Sequence, residues 1–127
     1  MRDILGTKGR DDKGDDLLLE AVTHGSWVQE HPQVGRESNQ RMEFLGDAVV
    51  GLAMVHYLYT RYPQLAEGPL SRVKAAVVGE GALAAAARRL GLGSLLFLGR
   101  GEELGGGREK SGLLADCFEA VCGALYL

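Results

Sequence analysis

Two short stretches of this 127-residue chain put carboxylates where apolar residues are expected. In Arg41-Met42-Glu43-Phe44-Leu45-Gly46-Asp47-Ala48-Val49-Val50, Glu43 and Asp47 are four apart and share one face of a helix. In Leu114-Ala115-Asp116-Cys117-Phe118-Glu119-Ala120-Val121, Asp116 and Glu119 are three apart and do the same; they are the only acids from Ser111 to Leu127. A buried carboxylate is costly unless it is paired or bound to a metal, and like charges at helical spacing repel. Two such pairs brought together need positive charge between them. Lys or Arg can supply it, and so can Mg²⁺, which prefers hard oxygen ligands. Four carboxylates on two packed helices can hold two divalent ions roughly 4 Å apart, the arrangement used for phosphodiester hydrolysis. The alternative is structural ion pairing, for instance Glu43 with Arg41 or Arg72. That alternative is favoured for one pair alone; two pairs on two otherwise apolar helices shift the balance to metal.

The elements that must position these acids follow from periodicity. Asp16 is placed to cap a helix beginning Leu17-Leu18-Leu19-Glu20-Ala21-Val22, after a polar leader over 1–16. Pro32 and Gly35 punctuate a loop over 29–38. Asn39 is expected to cap a long helix from Gln40 to about Tyr62, with Phe44, Leu45, Ala48, Val49, Leu52, Ala53, Val55 and Leu58 recurring at three and four. Pro63 stops it. Glu67-Gly68-Pro69 reads as a turn into a short helix over 70–78. An Ala-rich helix over 81–90 closes at Gly91, and 93–98 is an apolar connector. Five glycines in 99–109 predict a mobile loop. The last segment, 111–127, is apolar and helical. No alternating strand of convincing length occurs, so the expected fold class is all-α.

Composition narrows the function. Hydrophobic residues make up 46% and charged residues 24%, which suits one folded domain rather than a disordered chain. Every apolar run is broken well short of a membrane span, and the polar amino terminus is no secretory signal. Fourteen Lys and Arg against seventeen Asp and Glu give a net charge of −3, which excludes nucleic-acid binding by bulk charge alone. It does not exclude an acidic site that recruits cations to meet a phosphate. Cys117 and Cys122, five apart, point about 140° apart on a helix, so a mutual disulfide is disfavoured and a reducing cytoplasm fits. No CxxC or HExxH spacing supports zinc.

Taken together, Asn39-Gln40-Arg41-Met42-Glu43-Phe44-Leu45-Gly46-Asp47-Ala48-Val49 closely resembles the signature helix of the ribonuclease III endonuclease domain. The likeness continues through Glu67-Gly68-Pro69-Leu70-Ser71-Arg72-Val73-Lys74-Ala75, Leu90-Gly91-Leu92-Gly93 and Leu98-Gly99-Arg100-Gly101-Glu102-Glu103. It closes with Gly107-Arg108-Glu109-Lys110 and Leu114-Ala115-Asp116-Cys117-Phe118-Glu119-Ala120. Order and spacing agree over roughly 17–127. The resemblance implies a helical bundle that homodimerises and cuts double-stranded RNA with Mg²⁺, two ions per site, Mn²⁺ being a possible substitute. It implies 5′-phosphate and 3′-hydroxyl ends, one site per subunit, and cytoplasmic work without a membrane. By position, Glu43, Asp47, Asp116 and Glu119 match the family's metal-binding carboxylates, with Asp47 and Glu119 the catalytic pair. Glu67 matches an acid at the edge of the family's active-site valley, and Phe44 an aromatic that packs into a socket of the partner subunit. Arg72, Lys74, Arg108 and Lys110 are candidates for phosphate contact.

Four departures accompany the likeness. Residues 6–16 only loosely resemble the family's usual lead-in to the first helix. Gln40 stands where many members have Glu. The family's closing helix is expected to be absent after Leu127, and so is a double-stranded-RNA-binding domain. A non-catalytic RNA-binding or dimerisation module on the same fold is the competing reading, and loss of metal ligands would mark it; all four acids are present.

Overall fold

The computed structural model describes residues 12–127, and the described residues form a helical bundle. Among the described residues eight α-helices follow in order: α1 Asp12–Ala21, α2 Gly25–Glu30, α3 Gln40–Arg61, α4 Glu67–Val77, α5 Glu80–Leu90, α6 Leu92–Leu95, α7 Arg100–Leu104 and α8 Ser111–Tyr126. Single 3-10 turns lie at Pro32–Val34 and Gly107–Glu109. The described residues contain no strand, only an isolated parallel bridge between Thr23 and Phe97. No helix among them is long and apolar enough to cross a membrane.

α8 is the axis of the fold. Leu114, Ala115, Cys117, Ala120, Val121 and Ala124 are buried on it, and α3, α5 and α1 pack around them. α5 contributes buried Leu83, Ala84 and Ala87, and α1 contributes Leu18 and Ala21, with the alanines letting the helices approach. Both cysteines are free, and burial pushes the Cys117 thiol up to about 12, so it acts as a small apolar group.

The first helix starts earlier than the sequence predicts. Residues 1–11 of the expected leader lie outside the described residues, while 12–16 are helical rather than a loose lead-in. Asp16 therefore sits inside α1 and not at its cap. Acids in a helix's opening turns are favoured by the macrodipole, which offsets their poor intrinsic propensity.

The joint between α1, α2 and α3 is held by backbone hydrogen bonds. The Phe97 N–H donates to Val22 O at 2.8 Å, and the His24 N–H donates to Phe97 O at 3.0 Å. Asn39 begins α3, but its side chain does not cap it. Its Nδ2 instead donates to the Ala21 carbonyl at 3.1 Å, one of the orphan acceptors at the end of α1. His24 accepts the Ser26 N–H at 3.1 Å and so caps α2, a structural role.

α4 takes in the segment expected to be a turn. It begins at Glu67, and Pro69 fits its first turn because that nitrogen has no intrahelical acceptor. α5 ends as expected at Gly91, whose φ of 70° is the left-handed conformation that suits glycine.

Residues 99–109 are not a loose loop. Arg108 donates to Gly93 O at 2.9 Å and Leu96 O at 2.7 Å and pairs with Glu103 at 2.7 Å. Lys110 pairs with Glu102 at 2.9 Å. Gly107 is buried, and a Cβ there would lie 2.7 Å from Glu102 Cγ. Its glycine permits close packing, not mobility.

Candidate metal centre

α3 and α8 cross with their backbones nearly touching. A Cβ on Gly46 would overlap the Glu119 carbonyl, and one on Gly123 would lie 2.7 Å from the Met42 carbonyl oxygen. These two glycines bring the helices close enough for their acid pairs to meet. One carboxylate oxygen each from Glu43, Asp116 and Glu119 lie within 4.8 Å of one another. Asp47 joins them through a hydrogen bond with Glu119. All four acids singled out in the sequence thus converge on one crossing.

The directions in which their pKa values move follow from burial and from how closely the acids crowd one another. Glu119 is 8% exposed, and burial first, then its bond to Asp47 and the charges of Asp47, Glu43 and Asp116, push its pKa up to about 8. Glu43 is raised by burial and by Asp116 and Asp47. Asp116 is raised by burial and by Glu80. Glu43 is hydrogen-bonded with Asp116, and Glu119 with Asp47, so the two acid pairs meet across the crossing.

The ion-pair alternative is not what forms. Among the described residues, no Lys or Arg closes a salt bridge with any of the four acids; the pairs formed are Arg108–Glu103 and Lys110–Glu102. The donor set fits a hard divalent cation. Oxygens sharing one small cation lie within about 4 Å of each other, so modest side-chain adjustment would gather this group.

The structure also adds an acid that sequence inspection missed. Glu80 opens α5, its charge acts on Asp116, and its Oε1 lies 3.8 Å from where a Cβ on Gly112 would stand. It has no helical partner at three or four in the sequence, so only the fold reveals it. Of the other predicted residues, Glu67 opens α4 and is exposed, outside the three-oxygen group. Phe44 is 83% exposed. Arg72 is exposed over Gly68, while Lys74 is half-buried along Gly51. Arg108 and Lys110 are engaged within the protein, as described above.

A family model described as Ribonuclease-III-like matches residues 14–127. The chain belongs to the ribonuclease III family. It is 50% identical over all 127 residues to proteins named Ribonuclease 3 from Bacillus cereus and Bacillus anthracis, and those 127 residues are 51% of each relative. The chain therefore spans about half the length of the curated relatives it matches. Two structures of the nuclease domain of ribonuclease III from Campylobacter jejuni superpose with TM-scores of 0.87 and 0.85, each at 37% identity. They cover 98% of this chain, which in turn covers 81% and 79% of theirs. One of them is described as showing flexibility in a region involved in dimer formation of that domain. The helical architecture and the ribonuclease III likeness expected from the sequence both hold.

Proposed function

We propose that this chain is a divalent-metal-dependent endoribonuclease that hydrolyses double-stranded RNA, one site per subunit of a homodimer, leaving 5′-phosphate and 3′-hydroxyl ends. The observation that carries this reading is the convergence of Glu43, Asp47, Asp116 and Glu119, none of which forms a salt bridge with a Lys or Arg among the described residues. Glu43, Asp47, Asp116 and Glu119 would hold the cations, with Mg²⁺ the best match to all-oxygen donors, two ions per site and Mn²⁺ an acceptable substitute. Bound there, such ions supply Lewis-acid stabilisation of phosphate charge and lower the pKa of water. The protein's part is positional. Gly46 and Gly123 fix the helix crossing, and the buried Glu119 keeps its carboxyl directed at Asp47. Duplex RNA is recognised largely by shape and 2′-hydroxyls, so little sequence preference is expected. The free thiols of Cys117 and Cys122 agree with work in the reducing cytoplasm.

Incubating the purified protein with a long RNA duplex tests the reading. Cleavage is expected with Mg²⁺ and none with EDTA; no cleavage under either condition overturns it.

The exposed apolar residues of α3 support the dimer reading. Only Met42, Gly46 and Leu58 of that helix are buried, whereas Phe44, Leu52, Val55, Tyr57 and Tyr59 are exposed. Phe44 borders a hollow of about 550 Å³ lined by apolar Leu17, Met42, Leu45 and Leu127 and by polar Glu20, Glu37, Gln40 and Arg41. A two-fold axis would set the Phe44 of each copy into the hollow of the other, a self-complementary contact. Phe44→Ala is expected to raise the dimer dissociation constant by about a hundredfold or more while shifting monomer melting little. Sedimentation velocity across a concentration series reads this. A parent that stays monomeric at micromolar concentration contradicts the dimer.

A further inference from the structure

Beside the acid cluster, α3 and α4 enclose a cleft of about 370 Å³ lined by Asp47, Ala48, Gly51, Leu52, Val55, Lys74 and Val78. Its walls are apolar apart from one acid and one cation. Asp47 stands at one point of the lining, one turn before Gly51 on α3. Lys74 comes from α4 and lies along Gly51, its Cε 4.0 Å from where a Cβ would be. A methyl group at position 51 would only touch this stem at ordinary contact distance. Lys74 forms no salt bridge among the described residues, so its ammonium is not committed to an internal carboxylate.

We propose that this cleft is a subsite for a backbone phosphate flanking the scissile one on the strand being cut, with Lys74 as its anchor. The inference rests on the duplex-RNA reading above and deepens it. Three features support a phosphate rather than a small neutral ligand. The cleft shares Asp47 with the cation site, so a strand whose reacting phosphate lies at the acids has its next phosphate nearby. The remaining polar group is a compact, rotatable ammonium, which binds phosphate as a point charge. The other lining residues carry no side-chain donor or acceptor, so nothing else in the lining competes for that contact. Arg108 and Lys110, by contrast, are engaged with internal carbonyls and carboxylates. Arg72 is exposed and folds back over Gly68 of its own helix. Lys74 is the cation placed beside the reacting centre, and it touches substrate rather than performing chemistry.

The test measures kcat and KM on a duplex RNA at a series of KCl concentrations, for the parent, Lys74→Gln and Lys74→Arg. Lys74→Gln is expected to raise KM about tenfold with kcat largely kept. It is also expected to reduce the slope of log(kcat/KM) against log salt by about 1, the loss of one phosphate contact. Lys74→Arg should restore the slope. If kcat falls instead and the slope is unchanged, Lys74 acts on Asp47 and the subsite is refuted. If the parent cuts RNA and Lys74→Gln behaves identically, this inference alone fails; a parent that cuts nothing removes the underlying reading as well.

Discussion

Changing Glu119 to Gln is expected to lower duplex cleavage by at least about a hundredfold while leaving the cation-free protein as stable as the parent or more so. Both halves have one origin. Glu119 is buried among three other carboxyls, and its pKa rises from 4.5 to about 8. Between those values the folded protein keeps a proton that the unfolded chain has released. The parent's stability therefore falls as pH rises through that window, and the cost is complete above about 8. Glutamine never ionises, and its amide can still donate to Asp47, so the variant escapes this decline. Cations reverse the order. Ions that bind only the folded, ionised site stabilise the parent by mass action, and the variant offers them one fewer oxygen anion. Melting temperatures at pH 6 and pH 9, with Mg²⁺ and with EDTA, separate the effects. The parent should gain from Mg²⁺, more at pH 9 than at pH 6, and the variant should gain less at both. A salt-bridge role would give lower stability, no Mg²⁺ response and unchanged cutting. A variant that cuts as fast as the parent sinks the metal assignment.

The acid pairs were legible because helical spacing is a local signal: Glu43 with Asp47, and Asp116 with Glu119, are neighbours at any helical register. Their mutual contact was not. It depends on two helices crossing at Gly46 and Gly123, and in a sequence those glycines register only as poor helix formers. Glu80 was invisible for a related reason, since it reaches Asp116 from a third helix. The apolar stripe of α3 is legible as a stripe, but periodicity does not distinguish a face turned to the core from one turned to a partner. Leu52 and Phe44 are 71% and 83% exposed, so much of that stripe is surface in the single chain. The glycine-rich stretch over 99–109 misled in the opposite direction. Composition suggested mobility, whereas Arg108, three residues before α8, ties it to two carbonyls of the α6 region.

Gly46→Ala is expected to destabilise the fold by about 3 kcal/mol or more and to abolish cleavage. The added methyl would occupy the space of the Glu119 carbonyl, which belongs to the backbone of α8. A flexible side chain could swing aside; a peptide carbonyl inside a helix cannot move without moving the helix. No side-chain change at position 119 would relieve the clash, so Gly46→Ser should fail in the same way. The helices would separate where Glu43 and Asp47 face Asp116 and Glu119, so any protein that still folds should lose most of its Mg²⁺-induced stabilisation. Gly81→Ala is the matched control. Gly81 lies in the first turns of α5 with nothing within 4 Å of its Cβ position, and alanine there should be neutral or stabilising by up to about 1 kcal/mol. Urea unfolding of the two variants, with and without Mg²⁺, reads the contrast. Equal stabilities would mean that α3 and α8 do not cross as closely as the site requires, and the shared cation centre would lose its geometric basis.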